Sequence, residues 1–551
     1  MDWATQPDPF RRYPGAHVIP LPHEEADEDD RGVDRRVAAP LHRDSIGWFL
    51  RYSMGLSAWK AYRDIRWALR VNPSSGNLHP TEAYLVHDGR VSHYAPHEHA
   101  VEERAILPYP VWEQFLRGRP AFLVGLTSIQ WREAWKYGER AFRYCQHDVG
   151  HAIAALRISA SLFGWTLRLL PEWSDEQLAT LLGVDRKDDR GDAEPEHPEC
   201  LALVGSSVSW MTGDPASLVG EARSASWQGR ANVLSSSHDE WPIIERVTEA
   251  TAYAGRLSTP NSSAFALRLH ARFGETSPKL VAQNQGATSG GGQLPSLQPP
   301  NHEPTRPESP IPDPEPLYSR DVILRRRSAL AFDARSVLPR EKFVAMLEKL
   351  EPTVAPFDAL DWPPHVHLAL FVHRVDGLVP GVYAFLRDAS VIDEWRLAMR
   401  PEFIWEQVSN RLFLLLPTDV TWAANRLSCD QEIASAGFFS LGMIARLESA
   451  LRDRGEWFYR RLFWECGMIG QVLYLEAEAA GVRGTGIGCF YDDAVHELLG
   501  LSSREWQSLY HFSMGMPVDD ARLTTDPGYA WDVSANANQD LPAHGGAGTG
   551  V

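Results

Sequence analysis

Two stretches of this chain, 317 residues apart, align without a gap. The first runs Asp148-Val149-Gly150, Gly164-Trp165, Asp175 and Leu181-Leu182-Gly183-Val184. The second runs Glu465-Cys466-Gly467, Gly481-Val482, Asp492 and Leu498-Leu499-Gly500-Leu501. An acid, three glycines and a Leu-Leu-Gly end recur at the same offsets, so the chain reads as a tandem duplication. If each unit needs a twin to bury its apolar face, the chain carries its own dimer partner.

The length of 551 residues agrees with this, because it exceeds one ordinary core and implies about two to four domains. The formal charge of −18 argues against a nucleic-acid surface and against binding to anionic membranes. Part of that charge sits in the run Glu24-Glu25-Ala26-Asp27-Glu28-Asp29-Asp30, read as a solvated loop. The five cysteines, Cys145, Cys200, Cys429, Cys466 and Cys489, include no Cys-x-x-Cys and read as reduced thiols. The N-terminus has no apolar signal region and the chain no spanning apolar run, so the expected location is the cytoplasm.

A Gly/Ser stretch, Ser289-Gly290-Gly291-Gly292, is followed by dense proline from Pro299 to Pro316. Such a segment builds no core and reads as a linker. The expected organisation is an N-terminal extension over 1–44, a first module over 45–225 and a connecting segment over 226–276. The linker over 277–316, a second module over 317–525 and a disordered tail over 526–551 complete it. Buried helices are expected over Arg140–Gly164 and Phe458–Gly481, where apolar residues recur at helical spacing. A further helix is expected over Asp333–Leu350. Short strands are expected at 83–86, 121–126, 201–204 and 367–372. The mixture implies an α+β fold, a sheet with helices packed on it.

Three segments hold residues suited to chemistry. Asn72-Pro73-Ser74-Ser75-Gly76-Asn77 precedes a strand, and its hydroxyls and N–H groups suit the polar rim of a planar heterocycle. An ordinary turn is the alternative. Arg325-Arg326-Arg327-Ser328 follows the linker and suits a phosphate clamp, with a solvated basic patch as the alternative. Arg483-Gly484-Thr485-Gly486-Ile487-Gly488 would let backbone approach a ligand closely, but its spacing is not that of a Rossmann fingerprint. His147 and His151 sit one helical turn apart without an accompanying ligand set, so a structural pair is expected and no metal.

Together and in this order these segments resemble the nitroreductase-like flavoprotein superfamily, in its SagB-type, azoline dehydrogenase-like branch. Arg326-Arg327-Ser328-Ala329-Leu330-Ala331-Phe332-Asp333 is similar to that family's Arg-x-Ser-x-x-x-Phe flavin-phosphate motif. Pro73-Ser74-Ser75-Gly76-Asn77 resembles its isoalloxazine loop, and Gly484-Thr485-Gly486-Ile487-Gly488 its C-terminal segment. Ser513-Met514-Gly515-Met516-Pro517 with Arg522 resembles the strand and basic residue that close on the phosphate. The branch resemblance rests on Tyr52-Ser53-Met54-Gly55-Leu56-Ser57, on His93-Tyr94-Ala95-Pro96-His97-Glu98-His99 and on Lys136-Tyr137-Gly138-Glu139-Arg140.

The resemblance implies a nitroreductase-like fold in two copies that form an intrachain pseudo-dimer, with FMN at their interface. The motifs are split between the copies. The front half has the Pro-Ser-Ser-Gly-Asn loop but no arginine start, and it has Leu167, Leu169 and Pro171 where the back half has Gly484, Gly486 and Gly488. The back half has Leu360-Asp361-Trp362-Pro363-Pro364 where the loop would stand, and Leu330 replaces a basic residue often found at that position. One composite FMN site is therefore implied: Pro73, Ser74, Ser75, Gly76 and Asn77 from the front, and Arg326, Arg327, Ser328, Gly486, Ile487, Gly488 and Arg522 from the back. The resemblance further implies that Lys136 and Tyr137 act in proton abstraction. The implied substrate is an azoline in a modified peptide. Alternatives are an NAD(P)H-dependent nitro or quinone reductase, and a non-catalytic scaffold that binds a peptide or partner.

Overall fold

The computed structural model describes residues 2–23, 38–206, 212–255 and 317–529. The acidic run at 24–30, the linker at 277–316 and the tail beyond 529 lie outside the described residues.

Two seven-stranded antiparallel sheets carry the fold. The front half contributes β1 (His17–Pro20), the hairpin β2 (Leu56–Tyr62) and β3 (Ile65–Arg70), β4 (Thr81–His87), β5 (Arg90–Ala95), β6 (Ala100–Ile106), β7 (Ala121–Ser128), β8 (Thr166–Leu169) and β9 (His197–Gly205). The back half contributes β10 (Val366–Val372), β11 (Gly381–Phe385), β12 (Glu406–Ser409), β13 (Leu412–Pro417), β14 (Phe439–Arg446), β15 (Arg483–Ile487), β16 (Trp506–Gly515) and β17 (Thr524–Pro527). The front sheet has the order β1-β6-β5-β4-β7-β9-β8 and the back sheet β12-β13-β11-β10-β14-β16-β15. From β4 and from β10 onward the two run through their strands in the same sequence. They differ at one edge. In front it is β1 of the N-terminal extension, paired to β6; in back it is β12, paired to β13.

Five helices position the residues of interest: α1 (Gln130–Tyr137), α2 (Ala141–Leu162), α3 (Asp175–Leu182), α4 (Phe458–Ala479) and α5 (Asp492–Leu499). The expected long helices are α2 and α4, and both are buried along nearly their whole length. They pack on each other, and two glycines allow it. A Cβ on Gly150 would lie 2.2 Å from the Trp464 carbonyl oxygen, and one on Gly467 would lie 2.2 Å from that of His147. These contacts are reciprocal, because Gly150 and Gly467, like His147 and Trp464, share a register in the duplication. Arg143 pairs with Asp492 at 2.9 Å, and Arg460 pairs with Asp175 at 2.6 Å. The two pairs occupy matching positions of the two aligned stretches. One apolar core, with Val149, Ile153 and Leu156 of α2 and Met468, Val472 and Leu475 of α4, runs through both halves.

The Leu-Leu-Gly ends of the duplication are helix stops. Gly183 (φ 71°) and Gly500 (φ 82°) cap α3 and α5 in the left-handed conformation. The helix expected over 333–350 begins later, at Arg340, because Pro339 is its cap and Asp333 accepts the Arg335 and Ser336 N–H groups in a turn. The tail expected to be disordered from 526 starts ordered. Residues 524–527 pair with β2, and the buried Tyr529 hydroxyl donates to the Pro96 carbonyl at 2.7 Å. Among the described residues no helix is long and apolar enough to cross a membrane.

Candidate functional site

The Pro73–Asn77 loop enters β4 and is held by a buried ionic cluster. Arg132 of α1 donates to the His79 carbonyl at 2.7 Å and pairs with Glu82, which also meets His93 at 2.9 Å and Arg70 at 3.7 Å. Arg70 donates to the Thr81 carbonyl at 3.1 Å. Every member is fully buried, so breaking one bond strands a charge, and the loop inherits the rigidity. Gly76 (φ 63°) and Asn77 (φ 56°) take left-handed conformations there. The Ser74 Oγ accepts from the His79 N–H at 2.8 Å and reaches Glu133 of α1 at 3.4 Å.

Lys136 and Tyr137 lie against this loop. A Cβ on Gly76 would stand 2.6 Å from the Tyr137 Oη and 2.9 Å from the Lys136 Nζ. Lys136 is exposed, and burial holds the Tyr137 phenol well above its usual value. Beneath them Glu133 and Asp148 are buried, each with one carboxyl oxygen without a partner. Asp148 takes hydrogen bonds from the Ser74 hydroxyl and the Ser75 N–H, yet burial pushes its carboxyl up to about 8. Burial, and then Asp148, raises Glu133 too.

The back half faces the loop with its arginine start and glycine segment. Ser328 bridges to Gly484, and the Ala329 N–H donates to the Gly484 carbonyl at 3.1 Å. Tyr474 ties the two together. Its hydroxyl lies 3.0 Å from Ser328 Oγ and accepts the Gly486 N–H at 2.8 Å. The glycines are required by close neighbours. A Cβ on Gly486 would meet the Tyr510 hydroxyl at 1.9 Å, and one on Gly488 would meet the Tyr144 ring at 2.3 Å. The Gly488 carbonyl accepts from Arg140 of the front half at 2.9 Å.

Arg326 is only 3% exposed, and its Nη2 donates to the Arg70 carbonyl of the front half at 3.2 Å. Its Nε and Nη1 have no partner, and among the described residues no carboxylate pairs with it. Burial lowers its pKa. A buried guanidinium with open donors suits an anion such as a phosphate. Arg327 is more committed: its Nη atoms donate to the carbonyls of Ser57, Leu324 and Arg326, leaving only Nε open. Lys60, Arg327 and Arg483 act on one another, and burial with Arg483 and Arg327 lowers the Lys60 ammonium.

Not every expected residue converges here. The Ile487 side chain belongs to the apolar core behind the back sheet, so only its backbone borders the seam. Arg522 is 71% exposed and pairs with Asp520 at 2.7 Å. Leu330 is exposed. His147 and His151 pack across the seam, His147 stacked on Tyr510 at 4.1 Å and His151 within 3.3 Å of Gln471. Among the described residues no metal-binding cluster is present. Sequence reasoning missed Tyr474, Tyr510, Glu133 and the Glu82–Arg132 cluster. Of these, only Glu133 carried a signal, as a neighbour of Lys136 one helical turn away.

Residues 323–516 match the model of the nitroreductase family. Over that segment the chain resembles the nitroreductase family. A protein described as a nitroreductase from Anabaena variabilis ATCC 29413 has a similar structure, with a TM-score of 0.63, 18% identity and coverage of 94% of this chain and 95% of that one. The nitroreductase fold thus extends over both halves. The E. coli microcin synthetase McbBCD complex with truncated pro-MccB17 bound contains a chain 17% identical to this one, covering 50% of this chain and 98% of its own, with a TM-score of 0.28. An NAD(P)H:FMN oxidoreductase structure from Staphylococcus epidermidis is 15% identical, covering 36% and 87%, with a TM-score of 0.20. No curated protein matches the chain in sequence. The nitroreductase domain and its fold support an oxidoreductase, and the family implies a flavin.

Proposed function

We propose that the protein is an FMN-dependent oxidoreductase with one composite flavin site per chain, at the seam between its halves. The observation that carries this reading is Arg326, a buried guanidinium with two open donor atoms and, among the described residues, no carboxylate in an ion pair with it. A flavin phosphate satisfies that deficit by charge-assisted hydrogen bonds. Arg326, Arg327 and Ser328 would hold the phosphate. Ser74, Ser75 and Asn77 would meet the polar ring edge, and the backbone of Gly486, Ile487 and Gly488 would border the ring. Bound there, FMN supplies two-electron hydride chemistry. The test is a count. The purified protein should hold one FMN per chain, read from its absorbance against protein concentration. Two flavins per chain would end the composite-site reading, and a protein that takes up no FMN would favour a scaffold.

A finer reading, an azoline dehydrogenase of the SagB type, is supported by Lys136 and Tyr137 closing on Gly76. Oxidising a thiazoline or oxazoline removes a hydride and a neighbouring proton. With Lys136 in its uncharged form, the Nζ lone pair would take the proton, and the Tyr137 hydroxyl would orient the ring beside it. A reductase driven by NAD(P)H needs no such base. Lys136→Ala should retain FMN and slow substrate-driven flavin reduction about 10²-fold or more, the usual worth of a positioned base. Unchanged reduction by an azoline peptide in stopped flow would remove Lys136 from the chemistry and favour the NAD(P)H-driven reading.

A further inference from the structure

Cys489 follows directly on Gly488, at the rim of the candidate site, and its Sγ lies 2.7 Å from that of Cys429. The two are 60 residues apart in sequence, so no spacing motif announces them. Backbone and side-chain bonds that do not involve sulfur hold the two segments together. The Tyr491 N–H donates to the Leu427 carbonyl at 2.9 Å. The Gln431 amide donates to the Ser428 carbonyl at 2.7 Å and to the Cys489 carbonyl at 3.1 Å. Cys429 and Asp430 both take left-handed backbone conformations (φ 56° and 58°), which turn the chain so that Cys429 faces Cys489. The other three cysteines are buried, whereas Cys489 is exposed and Cys429 partly so. The pair is therefore juxtaposed by its surroundings, reachable from solvent, and within a sub-ångström closure of the ~2.05 Å disulfide bond.

We propose that Cys429 and Cys489 form a redox-active dithiol at the mouth of the site, which closes reversibly to a disulfide by exchange with a low-molecular-weight disulfide. The exposed Cys489 gives up its proton, and its thiolate attacks one sulfur of the small disulfide. A mixed disulfide forms, and one small thiolate leaves. Cys429 then loses its proton and attacks the Cys489 sulfur, forming the Cys429–Cys489 bond and expelling the second small thiolate. Two protein thiols are oxidised and one small disulfide is reduced to two thiols; excess small thiol reverses both steps. Burial and the neighbouring Cys489 push the Cys429 thiol up to about 12, which leaves the first attack to the exposed partner. Closure would clamp the turn after Leu427 onto the end of the glycine segment, where Arg140 and Tyr144 of the front half also meet Gly488. This chemistry needs no flavin and stands apart from the flavin reading.

The test uses the full-length protein equilibrated across ratios of oxidised to reduced glutathione, quenched with N-ethylmaleimide and mapped by peptide mass spectrometry. The expected result is loss of both maleimide adducts at Cys429 and Cys489 together, with appearance of a Cys429–Cys489 cross-linked peptide that reduction removes. The Cys429→Ser variant should instead accumulate glutathione on Cys489. Maleimide on both residues at every ratio, or a glutathione adduct on Cys489 as the end product in the wild type as well as in Cys429→Ser, would overturn the proposal.

Discussion

At one seam of the molecule the register position on the long helix carries Tyr144; at the other it carries Arg461. Tyr144 lies against Gly488 and meets the Tyr137 ring edge-on, with centroids 4.7 Å apart. Arg461 lies among aromatic rings, its guanidinium 3.8 Å from the Trp464 centroid and within 6 Å of those of Trp362, Trp457 and Tyr253. The cleft beside it is lined by Leu169, Pro171, Trp173 and Trp362, with the acids Asp175, Glu199 and Asp361, where the first seam has glycines and the serine loop. In a homodimer both seams have the same sequence. Joining the copies in one chain removes that identity, so one seam can keep glycines and the serine loop while the other is filled by Arg461 and its aromatic neighbours, with a cleft left beside them. The acids beneath the loops differ in the same sense. Glu465 accepts the His365 and Val366 N–H groups and pairs with Arg387. Asp148, at the same register, takes hydrogen bonds from Ser74 and Ser75 and lies beside Glu133, with Arg70 acting on it but no ion pair among the described residues.

The largest effect expected from breaking this comparison is at the filled seam. Glu465→Gln leaves the fully buried Arg387 without its counter-ion and should cost about 3–5 kcal/mol of stability. Urea unfolding measures it, and a loss below that range would mean that Arg387 finds another partner. Next is ligand affinity. Arg326→Ala should weaken FMN binding about 10- to 100-fold, the worth of one or two hydrogen bonds to a charged group. Arg461→Ala should leave FMN affinity unchanged while lowering the melting temperature. Fluorescence titration of both variants separates the seams, and equal flavin loss in the two would erase the distinction.

The effect that is smallest per pH unit is electrostatic. The Asp148 carboxyl titrates at 3.8 when exposed and at about 8 in the fold. Between those values the folded chain keeps a proton that the unfolded chain releases. The contribution of this group is therefore intact below the lower value, declines as pH rises and is fully lost above the upper one, by at most about 1.4 kcal/mol for each pH unit. Asp148→Asn should flatten that part of the stability profile. Unfolding midpoints at several pH values between 5 and 8 test it; a slope unchanged from wild type would assign the pH dependence to other groups.

Much of this protein was readable from its residues. The duplication register placed Gly150 against Gly467 and matched Asp175 to Asp492, because a helix crossing demands small residues and a helix end demands a left-handed glycine wherever they occur. The apolar periodicity of α2 and α4 located the long buried helices, and Pro73–Asn77, Arg326–Ser328 and Gly484–Gly488 stood out by composition. The helix start at Arg340 was legible only with Pro339 taken as a cap, and the order of residues 524–529 was not legible at all, since it comes from pairing with β2, more than 400 residues upstream.

What tertiary structure alone decided is which groups lack partners. A sequence shows three arginines in a row, but not that Arg326 is buried without an anion while Arg327 is bound by the carbonyls of Ser57 and Leu324. It shows five cysteines, but not that Cys429 and Cys489 touch. Nor does it show Arg461 surrounded by aromatic rings from three separate segments. Helices, caps and turns depend on neighbours a few residues away, so a sequence determines them. Charge balance and sulfur contacts depend on which distant segments meet, and here that was set by packing one copy of the fold against the other.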